Sequence, residues 1–184
     1  MTPAAEIKIE RWAADEPRPA QDVDRLAAVL HACVHAGASV SFVLPFSHAD
    51  AKAFWESKVF PAVQSGLCRV LVARSAGQIV GTVQLDLATP PNQPHRAEVR
   101  KLLVHPDARR RGIARALMLA LEREARETRR NLLTLDTVTG GAAEPLYLSL
   151  GYVKVGVIPR YAVRPDSPEL DATTIMYKQL APPM

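Results

Sequence analysis

The chain has 184 residues, 48% hydrophobic and 23% charged, enough for one domain with a sizeable core and too few for two comfortable ones. No run approaches the roughly 18 apolar residues of a membrane span, the opening MTPAAEIKIERW lacks the basic and apolar regions of a secretory signal, and the two cysteines, Cys33 and Cys68, form neither a disulfide framework nor a zinc cluster, so a metal-free cytoplasmic protein is expected. The net charge of +4 fits any polyanionic ligand, but its distribution is more informative: between Asp107 and Asn131 stand eight arginines and four carboxylates.

In chain order, Ile7 and Ile9 alternate with polar neighbours, which predicts a first strand. DEPRPAQD is a loop, and Asp22 or Asp24 is placed to cap a helix over Val23–His35 whose buried face carries Leu26, Val29, Leu30 and Cys33. HAGASVSFVLPFS is apolar, glycine-punctuated and irregular. Ser47 caps a second helix containing Phe54, Trp55 and Val59, which Pro61 bends or interrupts. RVLVARSAGQIVGTVQLDL then reads as two antiparallel strands turning at Ala76-Gly77. Three prolines make TPPNQPHR a loop. AEVRKLLV is a strand, HPDARRRG a turn, and Gly112 to about Thr128 a helix. NLLTLDTV is a buried strand, AAEPLYLSL a short helix and GYVKVGV a strand. PRYAVRPDSPELDA is predicted as a long polar loop before a last strand, TTIMYKQL. The order, β α α β β β α β α β β, implies a mixed α/β sheet with helices on both faces.

The strand, turn and helix LLVHPDARRRGIARALMLALE carry the strongest functional signal. Pro106 and Asp107 favour the turn, and Gly112 accepts dihedrals other residues avoid. A helix starting there offers unpaired N–H groups and the positive end of its dipole, which together bind anions. Arg109, Arg110, Arg111 and Arg115 oppose that dipole unless an anion is present. Neither a Walker-type phosphate loop nor a Gly-x-Gly-x-x-Gly dinucleotide fingerprint is present.

Arg109–Ala114, R-R-R-G-I-A, resembles the Gln/Arg-x-x-Gly-x-Gly/Ala signature of the GNAT acetyltransferases, and Ala142–Tyr152, A-A-E-P-L-Y-L-S-L-G-Y, resembles that family's A-x-x-L-Y-x-x-x-G-F/Y helix and strand. The resemblance covers about Arg69 to Leu180 and implies one domain over residues 1–184 with a splayed mixed sheet, residues 1–66 supplying the first strand and substrate-side helices. It implies acetyl-CoA as co-substrate, its pantetheine arm on the backbone of Leu102, Leu103 and Val104, and its diphosphate on Arg109, Arg110, Arg111, Gly112, Ile113, Ala114 and Arg115. One departure is Gly140, where many members carry an asparagine that contacts the cofactor. A-G-A-S-V, R-A-E-V, L-D-T and P-x-Y-A-x-x-P-D-S further resemble the tabtoxin-resistance acetyltransferases and their relatives, which implies a small amine as acceptor.

Attack of an amine on a thioester needs a base, a polarised carbonyl and a proton for the leaving thiolate. Glu98 opens the pantetheine-binding strand and is the expected base or water-positioning residue; the alternative is a strand-end glutamate paired with Arg96 or Arg100. Period-two counting puts Glu98, Arg100, Leu102 and Val104 on one face unless the bulge of the GNAT strand intervenes. Asp136, in an otherwise apolar strand, is a second base, an ammonium anchor, or a structural aspartate bonded to Thr137 or a nearby amide. Tyr147 is the expected acid to the thiolate, a role implied by the family motif; the alternative is an aromatic core residue of its short helix. Amides near Leu103 or Val104 would polarise the carbonyl. Family geometry makes Gly37–Phe46 and Ile158–Ala172 the acceptor side, with Ser41, Phe42, Tyr161 and Asp166 as candidate liners. His31 and His35 stand four apart without a third ligand and read as helix-face residues. No nucleic-acid module or membrane segment is recognised, and either a monomer or a homodimer fits. A CoA-binding module without catalysis and a protein-directed enzyme are the alternative functions.

Overall fold

The computed structural model describes residues 6–13 and 19–181. One seven-stranded sheet has the order β1-β2-β3-β4-β5-β7-β6. In chain order its strands are β1 (Ile7–Arg11), β2 (Cys68–Ser75), β3 (Gln78–Asp86), β4 (Arg96–Val104), β5 (Leu132–Val138), β6 (Val153–Val163) and β7 (Leu170–Gln179). Helix α1 (Ala20–His35) and the segment α2 (His48–Phe54) to α3 (Phe60–Gln64) cover one face; α4 (Ile113–Glu127) covers the other, and α5 (Glu144–Ser149) follows β5.

Each face has its own apolar cluster. Leu26, Leu30, Trp55 and Phe60 fill the α1 side together with Val70 and Val72. Leu117, Met118 and Leu121 of α4, all fully buried, pack on Val83, Leu85, Ala97 and Val99, each side chain contributing about 1.5–3 kcal/mol through burial. Gly81 permits this close approach: a Cβ there would stand 3.0 Å from the Leu103 carbonyl oxygen and 3.2 Å from Ile113 Cγ2.

The expected cap of α1 is not formed. The helix begins at Ala20, with no side-chain cap. Asp22, inside the first turn and buried, accepts from Arg74 at 2.7 and 2.9 Å and from Trp12 Nε1 at 3.2 Å, while Asp24 pairs with Lys52 at 3.2 Å. Ion pairing with the sheet outweighs capping because a buried carboxylate must be paired. Ser47 does cap α2, in a reciprocal capping box with Asp50. Before Pro61 the helix widens into a π turn over Trp55–Val59, with the Phe60 amide donating to the Trp55 carbonyl.

The polar segment after Ile158 is a second correction. Pro159–Val163 continue β6, Leu170–Ala172 begin β7, and these strands pair through Ala162↔Asp171 and Val163↔Leu170. The prolines signal a loop, yet β6 is an edge strand, where a missing N–H costs nothing if it faces outward.

The site is set by how β4 meets β5. This parallel pair is joined at only three positions, Arg96↔Leu132, Ala97↔Leu133 and Glu98↔Thr134. Beyond Glu98 the strands separate, β4 staying with β3 and β5 with β7.

Candidate active site

A bulge on β4 intervenes. The register to β3 shifts between Thr82↔Leu103 and Gln84↔Arg100, so Lys101 and Leu102 stand opposite Val83 alone, and Lys101 takes a φ of 50°. The alternation therefore reverses. Ala97 and Val99 lie in the α4-side core, whereas Leu103 lies in the α1-side core and Leu102 and Val104 pack against the α4 side. Glu98 and Leu102 do not share a face by simple counting, because the extra residue turns the strand over.

The gap between β4 and β5 is a cleft of about 720 Å³. Its walls are the α1–α2 connection from Ala36 to Ser41, β4 from Glu98 to Leu102, β5 from Asp136 to Val138, and parts of β6 and β7. Glu98, Asp136, Tyr147, Ser41, Tyr161, Leu102 and Arg109 all line it. Phe42 and Asp166 do not: Phe42 lies tilted against Phe46 at 4.6 Å and meets Phe54 edge-on at 5.2 Å, and Asp166 is exposed in the turn between β6 and β7. Packing among aromatic rings is the stronger demand on the partly buried Phe42, and Asp166 lies beyond the last paired residues of the hairpin, Val163 and Leu170.

Glu98 is held by Arg100 through two contacts, Nε to Oε1 at 3.1 Å and Nη2 to Oε2 at 3.3 Å. The strand-end pairing and the place in the cleft are thus both realised. Arg100 also pairs with Asp86 at 3.0 Å. Asp136 accepts from Thr173 Oγ1 at 3.0 Å, rather than from Thr137 or an amide, and the same hydroxyl lies 3.0 Å from the Thr137 carbonyl. The Tyr147 ring is buried against Tyr152, with centroids 5.7 Å apart. Burial raises the Tyr147 phenol well above its ordinary pKa, and the Asp136 charge adds to this, so the hydroxyl stays protonated at neutral pH.

A second cavity of about 180 Å³ lies at the start of α4, lined by Val104, Ala108, Arg109, Arg110, Gly112, Ile113, Ala114, Arg115 and Leu146. Arg109 lines both cavities. Gly112 has a φ of 74°, and no side chain caps the helix. Its first backbone bond runs from the Ala116 amide to the Gly112 carbonyl, which leaves the Ile113, Ala114 and Arg115 amides without intrahelical acceptors. A Cβ at Gly112 would meet nothing within 4 Å, so the left-handed backbone, not crowding, requires glycine there.

The arginines are deployed unequally. Arg109 Nε donates to the Val104 carbonyl at 3.3 Å and Arg115 Nη1 to Ser149 Oγ at 3.0 Å. Arg111 reaches Ser75 Oγ at 3.2 Å and lies outside the lining of both cavities, as does the buried Leu103 side chain. Gly140 has a φ of 71°, and its amide donates to Glu144 Oε2 at 2.6 Å. The position suits glycine, and a carboxylate of α5 supplies the local polar contact.

Lys101 was not among the residues expected from sequence. It lines the cleft, its ammonium donates to Ser41 Oγ at 3.1 Å, and it lies 5.5 and 5.8 Å from the centroids of Phe42 and Phe54. Burial, and then repulsion from Arg100, pushes its pKa down to about 8. Its neighbours Arg100 and Leu102 give no sequence signal of this, since the bulge decides it.

His31 and His35 are a helix-face pair with ring centroids 4.0 Å apart, and no group of three potential ligands for a metal ion occurs among the described residues. Nor is any helix there long and apolar enough to cross a membrane.

The acetyltransferase (GNAT) domain profile matches residues 66–154. Among solved structures, the protein yncA of Salmonella typhimurium, determined with its cofactor acetyl-CoA, superposes with a TM-score of 0.76 at 20% identity, over 95% of this chain and 94% of that one. A ribosomal-protein-alanine N-acetyltransferase from Brucella melitensis gives 0.75 at 24% identity over 94% and 99%. A GCN5-related N-acetyltransferase from Kribbella flavida gives 0.74 at 21% identity over 95% and 98%. The profile spans β2 to the start of β6, including the β4 bulge, the arginine turn and α4, and the fold match extends over nearly all the rest; residues 66–154 match the GNAT acetyltransferase domain profile, and the chain has the acyl-CoA N-acyltransferase fold.

Proposed function

We propose that the chain transfers the acetyl group of acetyl-CoA to the primary amine of a small molecule, by direct attack within a ternary complex. The observation that carries this reading is the pair of cavities that Arg109 lines in common: an uncapped helix start suited to a diphosphate, and a cleft holding two carboxylates and a buried phenol. The diphosphate lies on the amides that open α4, with Arg109, Arg110 and Arg115 around it. The pantetheine arm follows the β4 backbone into the splay, at Leu102, Leu103 and Val104. Acetyl-CoA bound to the Salmonella relative supports the same co-substrate here.

In the cleft, Glu98 takes the ammonium proton directly or through water, and Arg100 fixes the orientation of its carboxylate. The freed amine attacks the thioester carbonyl, a C–N bond forms, the C–S bond breaks, Tyr147 protonates the departing thiolate, and the surplus proton on the new amide nitrogen passes through water to the Tyr147 phenolate. The small-amine preference rests on the sequence likeness to the tabtoxin-resistance enzymes and on the size of the cleft, about 720 Å³. Calorimetry with acetyl-CoA, and thiol release with pooled amines, amino acids and aminoglycosides, test the reading. Expected are saturable binding and amine-dependent release. No measurable affinity for acetyl-CoA overturns it.

A further inference from the structure

The acceptor itself can be narrowed, on the basis of the acetyl-transfer reading above. The β4–β5 ladder ends at Glu98↔Thr134. Three residues further along β4 stands Lys101, and two residues further along β5 stands Asp136, so an ammonium and a carboxylate occupy opposite limbs of the splay and both line the cleft. Glu98, Arg100 and Asp171, which also line the cleft, are paired within the protein. Glu98 is held by Arg100 at 3.1 Å, Arg100 also by Asp86 at 3.0 Å, and Asp171 by Arg164 at 2.8 Å. Arg109 is drawn to the Val104 carbonyl and shared with the diphosphate cavity.

Among the described residues, neither Lys101 nor Asp136 has an ion-pair partner. The Lys101 ammonium has only a neutral hydroxyl, Ser41 Oγ, and the faces of two aromatic rings. Asp136 has only the Thr173 hydroxyl. The lysine is also held at a cost to the backbone: Lys101 has a φ of 50° and its partner Ser41 a φ of 75°, left-handed conformations that each cost a non-glycine residue free energy. No carboxylate reaches the Lys101 ammonium as an ion pair; Asp136 and Glu98 attract it only through space, and a partly desolvated cation so placed gains from a direct anion contact.

We propose that Lys101 binds a carboxylate of the acceptor while Asp136 faces its ammonium end, so that the substrates are amino acids or close derivatives carrying both groups in one small molecule. Lys101 then determines specificity rather than performing the proton transfers, which stay with Glu98 and Tyr147. The two polar groups set the acceptor's direction in the cleft, and the aromatic pair of Phe42 and Phe54 holds the ammonium that reads it.

The test compares amino acids with the amines left when their carboxyl group is removed, such as lysine with cadaverine and ornithine with putrescine. Thiol release is measured at pH 7 for the wild type, Lys101→Met and Lys101→Arg, with folding checked by thermal melting and acetyl-CoA affinity by calorimetry. A charge-assisted contact predicts that the wild type prefers at least one amino acid over its decarboxylated partner by about ten-fold or more in kcat/KM. Lys101→Met should collapse that ratio towards one through KM, Lys101→Arg should retain part of it, and acetyl-CoA affinity should not move. Equal use of both partners, an equal loss for both in Lys101→Met, or no turnover of any amino acid overturns the inference while leaving acetyl transfer standing. Failure of the wild type to bind acetyl-CoA removes the acetyl-transfer reading, and this inference with it.

Discussion

Replacing Gly112 with alanine isolates the backbone's part in the proposed grip on the diphosphate. The residue has a φ of 74°, and a Cβ there would touch nothing within 4 Å, so the whole penalty is conformational. Holding an alanine in the left-handed region costs about 1–2 kcal/mol, which for a chain of this size lowers Tm by roughly 2–8 °C. If the turn relaxes to escape that strain, the amides that open α4 rotate away. Loss of one charge-assisted hydrogen bond then weakens acetyl-CoA binding by roughly ten-fold or more. Gly66→Ala is the matched control: φ is 75°, the space is equally open, and the residue lines neither cavity. Calorimetry and thermal melting of both variants, with and without acetyl-CoA, should show similar losses of Tm without ligand. At 100 times its Kd the ligand stabilises the wild type by about 2.7 kcal/mol; Gly66→Ala should keep that gain and Gly112→Ala should lose much of it. Equal Tm losses with unchanged affinity in both variants would refute the assignment of the diphosphate to these amides.

Glu98→Gln and Tyr147→Phe should each slow amine-dependent thiol release by roughly 10²–10⁴-fold while acetyl-CoA affinity persists, and unchanged steady-state rates remove the assigned roles. Arg74→Met leaves the buried Asp22 carboxylate without its cation, so about 3 kcal/mol of stability should be lost in urea titrations. Lys8 and then Arg74 hold the Glu10 carboxyl below the usual range; its contribution is complete above the unfolded pKa and is lost as pH falls through the lower native value, and Arg74→Met should flatten that part of the acid limb. Cys33 and Cys68 are buried, and burial pushes both thiols up, Cys68 to about 12. Native protein should therefore react with neither thiol at pH 8 and unfolded protein with both, as counted with a chromogenic disulfide; rapid native labelling contradicts the packing.

Much of the architecture was local enough to be read from the chain. The period-two runs of β2 and β3, the capping box at Ser47 and Asp50, and the long amphipathic α4 are each set by residues within a few positions of one another. The arginine turn and its glycine could also be read, because cations at a helix start conflict with the dipole unless an anion is intended. What could not be read depended on distant partners. Asp22 became an ion-pair acceptor because Arg74, 52 positions away, reaches it across the sheet. Pro159 and its neighbours joined an edge strand because β7 was there to pair with them. The β4 bulge decided which side chains face the cleft, moving Leu103 into the α1-side core and bringing Lys101 against Ser41 and the Phe42 and Phe54 rings. Sequence alone therefore determined most of the elements and the arginine-rich turn with its glycine, whose causes lie within one or two helical turns. Only the tertiary structure decided the register of β4, the splay from β5 and the unpaired charges across it, because strand pairing is a long-range choice and one extra residue turns every side chain beyond it to the other face.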